Sequence, residues 1–488
     1  MQTTINVEAD CIQRWMEPSY PPAISWADVV SMYPALLGSY QEEHKLAIGF
    51  GFSFVFSSSV YTFNCLRFGY VPDFSRKKTL DRQIRDNENL EGLGIPVMAD
   101  LPAEVITDIL SHLPVKSLLR LRATCKWWRS LIDKTHFIFF HLSKSIDTKN
   151  WNISLLLRHR SHLYQVNLHA LDEAVELNHP LMCYSSSINV LGSCNGLLCI
   201  SNIADDFALW NPSLRKHRIL PADRLNRPQS SLFAARVYGF GYDPFTNDYK
   251  LVSISYFVDL HNRSFDSQVQ LYSLRSDAWK VLPSMPYALC CARTMGVFVG
   301  VALHWVVTRK LEPNEPDLIV SFDLRLESFR EVPLPVSVNG NFEMNVAQLG
   351  GCLCMVEDRG SGFDVWVMRV YGSRESWCKL FTVTRRCELT RSMKCVKPLA
   401  LGFWGDGDRV LFEQDRSKLY WYHLKSGNVS CVKISGMPNS VEGTLWVGSL
   451  VPPSILTLRD DTKRHRMRDP KITKKRDDFL SQGFKLTL

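Results

Sequence analysis

The stretch Gly239-Phe240-Gly241-Tyr242-Asp243-Pro244-Phe245-Thr246-Asn247-Asp248-Tyr249-Lys250-Leu251-Val252 decides the fold of this chain. Its two flanks alternate in the way that β-strands with one buried face do. Between the flanks stand Asp-Pro and Asn-Asp, residue pairs that favour a tight turn. The stretch therefore predicts a β-hairpin, and the sequence on either side indicates that this hairpin belongs to a repeated array.

A phrase recurs around this hairpin: a strand, a polar turn, an aromatic or bulky residue seven positions on and, often, a closing Leu-Pro or Val-Pro. Its copies begin at Trp210, Tyr272, Phe322, Val370 and Tyr422, which are offset by 62, 50, 48 and 52 residues. One such unit cannot bury both faces of its sheet without neighbours, so a near-constant period indicates a propeller-like or solenoid array. We expect a mainly β fold with a propeller-like domain of about six blades over residues 150–456.

Apolar strings that follow a glycine are expected to form the inner blade strands. They span 196–200, 300–305 and 351–355. Eight of the thirteen tryptophans fall between Trp210 and Trp446, and we interpret them as packing between blades.

Residues 98–145 show a helical period instead. A first helix of eleven residues is expected between Pro102 and Pro114, because its apolar residues recur on one face. A second short helix follows, and Thr124 is a good N-cap for a third. The apolar faces comprise Ile106, Ile109, Leu110 and Leu113 in the first helix, Val115, Leu118 and Leu119 in the second, and Cys125, Trp128, Leu131 and Ile132 in the third. We therefore expect a three-helix α module before the β domain.

The formal charge of +8 is concentrated at the C-terminus. Residues 457–488 hold ten Lys or Arg and five Asp or Glu, and the rest of the chain is nearly balanced. Nucleic-acid binding is not expected, because no basic stripe is evident outside this tail. The basic tail is expected to be solvated, with a nuclear-import or acidic-membrane signal as the alternatives.

Residues 1–97 show no sustained period and remain an unassigned extension, either a disordered arm or a gene-model artefact, with Met98 as an alternative start. Within them, 46–66 is 21 uncharged residues, which is long enough to span a bilayer. Several Ser, Thr and Asn residues dilute the apolar side chains, so a membrane partner is not expected.

The fourteen cysteines form no Cys-x-x-Cys pair, and most stand in apolar strings, so we expect buried thiols and no metal or cofactor. The N-terminus lacks the pattern of a signal peptide. Together these features favour a cytoplasmic and nuclear location.

Candidate catalytic patterns are weak. His159 and His162 could form a metal pair, but they lie among basic residues in what we interpret as a solvated turn. Asp205-Asp206 and Asp406-x-Asp408 are paired carboxylates, and acidic turns between strands are commoner than glycosidase sites. We expect no catalytic residue.

Residues 98–145 strongly resemble an F-box, the helical module by which substrate receptors dock onto the Skp adaptor of a cullin-RING (SCF) ubiquitin ligase. The resemblance rests on two Leu-Pro pairs, an Ile/Leu helical face between them, Arg122 and a Cys-Lys-x-Trp string. It implies a Skp-adaptor-binding surface made of Leu101, Pro102, Ile106, Ile109, Leu110, Leu113, Pro114, Val115, Leu118, Cys125, Trp128 and Leu131. An isolated module of this size is also too small to bury a sufficient core, which is an independent reason to expect a partner.

The remainder resembles the plant F-box-associated domain. The stretch 239–252 is that family's most recognisable phrase, and 192–197 and 210–213 match as well. A true kelch repeat is less well supported, because only one Gly-Gly pair would suit it. The strings at 178–185 and 475–486 are similar to a branch of the family that restrains plant defence, which implies intracellular immune receptors among the substrates.

We therefore expect a non-catalytic substrate-recognition subunit of an SCF E3 ubiquitin ligase, which recruits protein targets for ubiquitination and proteasomal degradation. Substrate contacts are expected on loops of one propeller face, such as those near Asp205, Asn262 and Glu312. A glycan-binding F-box receptor and a propeller glycosidase-like enzyme remain the alternatives.

Overall fold

A computed structural model describes residues 103–454 with gaps at 148–152, 169, 183–186, 224–231, 260–263, 291–294, 311–315, 337–342, 385–395, 403–408 and 439. The extension 1–97, the apolar stretch 46–66 within it, and the basic tail 457–488 lie outside the described residues. Leu101 and Pro102 also lie outside them.

In the described part of the chain, four α-helices precede the β domain. They are α1 (Ala103–Ser111), α2 (Val115–Thr124), α3 (Lys126–Ile132) and α4 (Thr135–Asp147). Pro114 separates α1 from α2 because it cannot continue the first helix, and its extended conformation makes it the N-cap of the second. The three predicted helices are confirmed, with the first shorter than expected at nine residues. A fourth helix, α4, follows the three predicted ones and buries Phe137, Ile138 and Leu142.

The cap of α3 differs from the predicted one. Thr124 is the last residue of α2, and its hydroxyl donates a hydrogen bond to the Leu121 carbonyl within that helix at 2.7 Å. Cys125 has the extended conformation of an N-cap, and its Sγ accepts a hydrogen bond from the Trp128 N–H at 3.5 Å. The prediction of Thr124 is therefore wrong by one residue.

The described part of the β domain consists of six antiparallel sheets, which we number as blades 1–6. Blade 1 contains β1 (Ile153–His159), β2 (His162–Asn167) and β3 (Ala170–Leu177). Blade 2 contains β4 (Asn189–Cys194), β5 (Leu197–Ser201), β6 (Phe207–Asn211) and β7 (Lys216–Leu220). Blade 3 contains β8 (Leu232–Asp243), β9 (Asp248–Asp259), β10 (Ser264–Ser273) and β11 (Ala278–Leu282).

The remaining strands follow the same order. Blade 4 contains β12 (Ala288–Leu289), β13 (Val297–Val299), β14 (Ala302–Thr308), β15 (Leu318–Asp323) and β16 (Ser328–Val332). Blade 5 contains β17 (Glu343–Leu349), β18 (Cys352–Asp358), β19 (Gly362–Met368) and β20 (Trp377–Thr384). Blade 6 contains β21 (Val396–Gly402), β22 (Arg409–Gln414), β23 (Lys418–His423) and β24 (Val429–Cys431), and β25 (Glu442–Val447) follows it.

The ring is closed by its last strand. β25 pairs with β1, so blade 1 has the order β25-β1-β2-β3, with Ile153 opposite Val447 and Arg158 opposite Glu442. In the other blades the first strand is innermost and the last is outermost, and in blade 4 both β12 and β13 pair with the inner edge of β14. Apolar clusters fill the spaces between neighbouring blades. The prediction of about six propeller-like blades is confirmed.

The antiparallel strands define two faces of the ring. The proximal face carries the turns from first to second strand and from third to fourth strand, among them 244–247, 274–277 and 324–327. The distal face carries the turns from second to third strand, such as 202–206 and 359–361, together with the links between blades. β1 begins at the proximal face, because Ile153 pairs with the last residue of β25.

The recurring phrase of the sequence is the outer hairpin of blades 2, 3, 4 and 6. Tyr272 faces Trp279 and Phe322 faces Phe329 across these hairpins, so residues seven positions apart are direct cross-strand partners. The copy predicted to start at Val370 is wrong, because Trp377 pairs with Met368 and Val370 lies in a longer turn.

The glycine-led strings form second strands rather than the inner strands that we predicted. They correspond to β5, β14 and β18, each of which is paired on both edges. All five residues of β5 are buried, which explains the unbroken apolar run. The tryptophan interpretation is confirmed for the residues described as buried: Trp210, Trp305, Trp366, Trp377 and Trp446.

The hairpin 239–252 turns as predicted. The buried Asp243 carboxylate accepts hydrogen bonds from the Phe245 N–H at 3.0 Å and from the Thr246 hydroxyl at 2.6 Å. Asn247 adopts the left-handed conformation with φ 52°, and Tyr242 donates a hydrogen bond to its side chain at 2.8 Å. Asp248 accepts a hydrogen bond from the Arg275 N–H at 2.8 Å, which ties this turn to the outer hairpin of its own blade.

None of the helices in the described part of the chain has the length and hydropathy that a bilayer crossing requires.

Candidate functional site

The predicted adaptor-binding residues of the helical module fall into two groups by burial. Within the module, Ile106, Leu110, Val115, Leu118 and Leu131 are buried. Ile109, Leu113, Pro114 and Trp128 are half-buried, and Cys125 is exposed. The first group forms the core that holds the helices together, so the second group is the part available to another molecule.

Two polar contacts fix the shape of this module. The Arg122 guanidinium donates hydrogen bonds to both Asp133 carboxylate oxygens, at 2.5 and 2.9 Å, and so ties α2 to the end of α3. The hydrogen bond to Asp133 raises the pKa of Arg122. Buried His141 on α4 donates from Nε2 to the Leu113 carbonyl at 2.9 Å, and burial lowers its pKa. Since the Leu113 carbonyl can only accept, Nε2 of His141 carries a proton, and this hydrogen bond holds the α1–α2 turn in place.

Trp127 is a surface feature that sequence reasoning missed. Its side chain is 51% exposed and packs edge-on against Trp128, with 4.6 Å between ring centroids. A large exposed aromatic is typical of an interface rather than of a free surface. The signal in the sequence is the aromatic residue at the variable position of the Cys-Lys-x-Trp string.

Of the three positions predicted to contact a substrate, the structure describes Asp205, which belongs to the distal face. Asp205 lies between β5 and β6, the second and third strands of blade 2. Asn262 and Glu312 lie outside the described residues, in the corresponding connections of blades 3 and 4.

A polar cluster joins blades 2 and 3 at this face. Arg236 on β8 donates a hydrogen bond to the Asp205 carboxylate at 3.0 Å and another to the Ser255 hydroxyl at 2.9 Å. Asp223, with only 1% of its side chain exposed, accepts a hydrogen bond from Ser253 at 2.8 Å. Burial raises the pKa of Asp223. The cluster holds the Arg236 guanidinium in a fixed position beside the exposed Asp205.

Exposed apolar side chains surround this cluster. Ile203 is 70% exposed in the same turn as Asp205, and Phe233 is 42% exposed at the start of β8. The Arg236 guanidinium lies 5.8 Å from the centroid of the Phe233 ring. Ile203, Asp205, Phe233 and Arg236 together form what we call the distal patch, which combines an apolar surface with a positioned charge pair.

The two histidines of the candidate metal pair each have a polar partner within the fold. His159 and His162 face each other across the β1–β2 turn. However, His159 Nδ1 donates to the Ser440 carbonyl at 2.8 Å, and His162 Nδ1 lies 2.7 Å from the Glu176 carboxylate. No cluster of three His, Cys, Asp or Glu side chains suited to a metal occurs among the residues that the structure describes. Asp406 and Asp408 lie outside them.

The cysteines differ more in their exposure to solvent than predicted. Cys194, Cys199 and Cys354 are buried, and burial raises their pKa values strongly. Cys125, Cys290 and Cys431 are exposed, so the prediction of buried thiols is wrong for these three.

Comparison with known protein families gives two matches. The family described as the F-box associated beta propeller domain matches residues 152–453, and the F-box-like family matches residues 98–145. The two matches correspond to the ring and to the helical module.

Several Arabidopsis thaliana proteins are similar over most of their length. The F-box protein CPR1 is 36% identical over 418 residues, a match that covers 80% of this chain and 100% of the relative. The F-box protein At4g22390 is 30% identical, with the same shares covered. The F-box/kelch-repeat protein At3g23880 is 28% identical over 73% of this chain and 97% of the relative.

Proposed function

Because the chain belongs to the family of F-box proteins with an F-box-associated β-propeller domain, we propose that it is the substrate-recognition subunit of an SCF (Skp-cullin-F-box) E3 ubiquitin ligase. F-box proteins are generally adaptor or receptor subunits. The observation that carries the proposal is that one chain joins a helical module that matches the F-box-like family to a closed ring with exposed apolar side chains on its distal face. In this function the helices bind a Skp-family adaptor, and the ring binds a protein to be ubiquitinated.

The proposed mechanism requires no catalytic residue in this chain. Binding of the substrate to the ring and of the ligase to the helices keeps the activated ubiquitin at a high local concentration near the substrate lysines. The rate of transfer then depends on tethering and orientation.

We assign adaptor contact to the residues of the helical module that are not buried in its own core. Leu101 and Pro102 are included from the family resemblance, and Ile109, Leu113, Pro114, Cys125 and Trp128 from their exposure. Ile106, Leu110, Val115, Leu118 and Leu131 support this surface from beneath, because they are buried in the module itself. Apolar anchors on amphipathic helices are a common way to bind a partner's groove.

For the substrate we propose recognition at the distal patch. Its Ile203, Asp205 and Phe233 side chains are exposed, and Arg236, with 9% of its side chain exposed, holds Asp205 in place. The patch lies at the face opposite the start of β1, which leaves room for a bound protein. The similarity to F-box protein CPR1 and the strings at 178–185 and 475–486 support intracellular immune receptors as substrates, and thus a role in restraining plant defence. The proposed location is the cytoplasm and the nucleus.

Co-precipitation with the Skp adaptor tests the docking assignment. The double variant L101A/P102A should lose at least about tenfold in adaptor binding, since it removes apolar contacts at the start of the module. I146A is the matched control, because Ile146 is 54% exposed on α4 and belongs to neither group. Unchanged binding by L101A/P102A would contradict the assignment.

Proximity labelling tests the recognition face. The L101A/P102A variant should still bind and label its substrates, but the substrates should not be degraded. Adding I203S/F233A to this variant should remove them from the labelled set. V281S is the control, because Val281 is 63% exposed on an outer strand away from the distal patch. The same labelled proteins with and without I203S/F233A would rule out the distal patch.

A further inference from the structure

The proximal face carries an exposed basic side chain at the tip of the outer hairpin in five successive blades. These residues, which we call the proximal arc, are Arg215, Arg275, Arg325, Arg369 and Lys425. In four of the five tips the preceding residue is a leucine. Leu274 and Leu324 are buried, so the leucine anchors the tip while the basic residue after it faces solvent.

Two acidic residues on these tips, Asp277 and Glu327, have other cationic partners. Asp277 is bound by Arg218 at 2.9 Å, and Glu327 is bound by Lys280 at 2.7 Å and by Lys250 at 3.2 Å. Each of these acids is therefore already paired with a cation outside the proximal arc. Arg215, Arg275 and Arg325 therefore give their part of the proximal face a basic character.

Apolar side chains lie among the basic ones. Phe245 is 65% exposed, and the Arg325 guanidinium stacks on its ring at 3.9 Å from the centroid. Leu326 is 54% exposed on the same tip as Arg325, and Tyr371 is 48% exposed in the corresponding turn of blade 5. Arginine with aromatic and aliphatic neighbours is the composition of a protein interface, which distinguishes this surface from one that only attracts polyanions.

The short connection between the helical module and the ring indicates which partner the proximal arc would meet. The module ends at Asp147 and β1 begins at Ile153 on the proximal face, so only 148–152 separate them. A connection of this length reaches at most about 20 Å. Whatever holds the helices is thus kept beside the proximal arc.

We propose that the proximal arc docks against an acidic protein surface of the ligase assembly that holds the helical module. The inference rests on the proposed receptor function and deepens it: the ring is oriented by a second contact as well as tethered by the first. Complementary charge acts mainly on the association rate and on its dependence on salt.

The test compares two triple charge reversals in the full chain. R215E/R275E/R325E inverts part of the proximal arc, and R160E/K418E/K433E inverts the same number of exposed basic residues at the distal face. Association with a purified Skp adaptor–cullin subcomplex is measured from about 50 to 500 mM salt. The proximal variant should associate about tenfold more slowly than the wild type at low salt and equally fast at high salt, whereas the distal variant stays within about twofold.

Three results would overturn the inference: wild-type rates for the proximal variant, equal slowing by both variants, or loss of binding to phosphatidylserine vesicles with unchanged ligase association. The R215Q/R275Q/R325Q variant, with an intermediate slowing expected, replaces the reversal if thermal unfolding shows damage to the fold. Failure of the wild type itself to bind the subcomplex would refute the proposed function, a result distinct from normal binding by the proximal variant.

Discussion

At the scale of single residues, His304 shows how burial and hydrogen bonding determine the protonation state of a side chain. Its Nδ1 lies 3.0 Å from the Val297 carbonyl, which can only accept, so Nδ1 carries the proton and Nε2 accepts from the Tyr371 hydroxyl at 2.7 Å. Burial lowers the pKa of His304 from 6.5 to about 4. The neutral ring is therefore part of the contact between blades 4 and 5.

This histidine predicts a pH dependence of stability. In the unfolded chain His304 takes up a proton as the pH falls below 6.5, whereas in the folded chain it stays neutral down to about 4. Stability is therefore lost as the pH falls, by about 2 kcal/mol for this group between pH 7 and 5. Urea unfolding of the wild type and of H304Q at both pH values should show a shallower pH dependence in the variant. Equal slopes would contradict the assignment.

A second residue-scale prediction concerns close packing at the ring centre. A Cβ at Gly239 would lie 2.8 Å from Leu303 Cδ1 and 2.9 Å from Trp305 Cζ2, both in fully buried side chains. G239A should cost about 1–3 kcal/mol by overpacking. G300A is the control for steric crowding. A Cβ at Gly300 would meet no atom within 4 Å, so any loss of stability there would come from backbone strain at φ +64°. A neighbouring cavity variant, L303A, should make the cost of G239A smaller in a double-mutant cycle of unfolding free energies but leave that of G300A unchanged.

At the scale of elements, the helical period and the β repeat were readable because each puts apolar residues at a fixed spacing. The α4 helix was not, since its sequence Thr-His-Phe-Ile-Phe-Phe-His is rich in aromatic and β-branched residues, which favour helices little. Its burial against the other helices overrides that weak preference. The second strands were mistaken for inner ones because an unbroken apolar run shows burial but not position within the sheet.

The element-scale prediction is that α4 holds the docking surface in shape. Phe137 is 2% exposed, and F137A should cost about 3–5 kcal/mol, which is most of the stability that so small a module can have. Hydrogen exchange across 103–147 should then become fast while the blades keep their protection, and adaptor binding should weaken. With I146A as the control, unaltered exchange in F137A would show that α4 is not required.

At the scale of the whole molecule, the Asn211 side chain joins the third strand of blade 2 to the segment after the closing strand. The side chain is fully buried, and its Nδ2 donates to the carbonyls of Ser449 at 3.0 Å and Val451 at 2.7 Å. Sequence reasoning recognised the surrounding 210–213 string as a family phrase but had no physical reason for it. That reason depends on a contact between residues 238 positions apart, which no local pattern can reveal.

The closure therefore predicts a long-range effect of one substitution. N211A leaves two buried carbonyls unsatisfied and should lower the unfolding free energy by about 2–4 kcal/mol. Proteolysis near residues 442–453 should become faster as the last strand loosens. N428A, at an exposed asparagine in a hairpin tip, should leave both measurements unchanged. A stable N211A ring would mean that strand pairing alone maintains the closure.

Pairing of the last strand with the first also sets the order of events during synthesis. The helical module leaves the ribosome some three hundred residues before β25, so a nascent or prematurely terminated product has the complete helical module and an open ring. Such a product would occupy ligase molecules without delivering substrate to them. A nonsense allele ending before Glu442 should consequently be dominant over the intact allele when it accumulates, and it should become recessive when L101A/P102A is introduced into the same truncated chain.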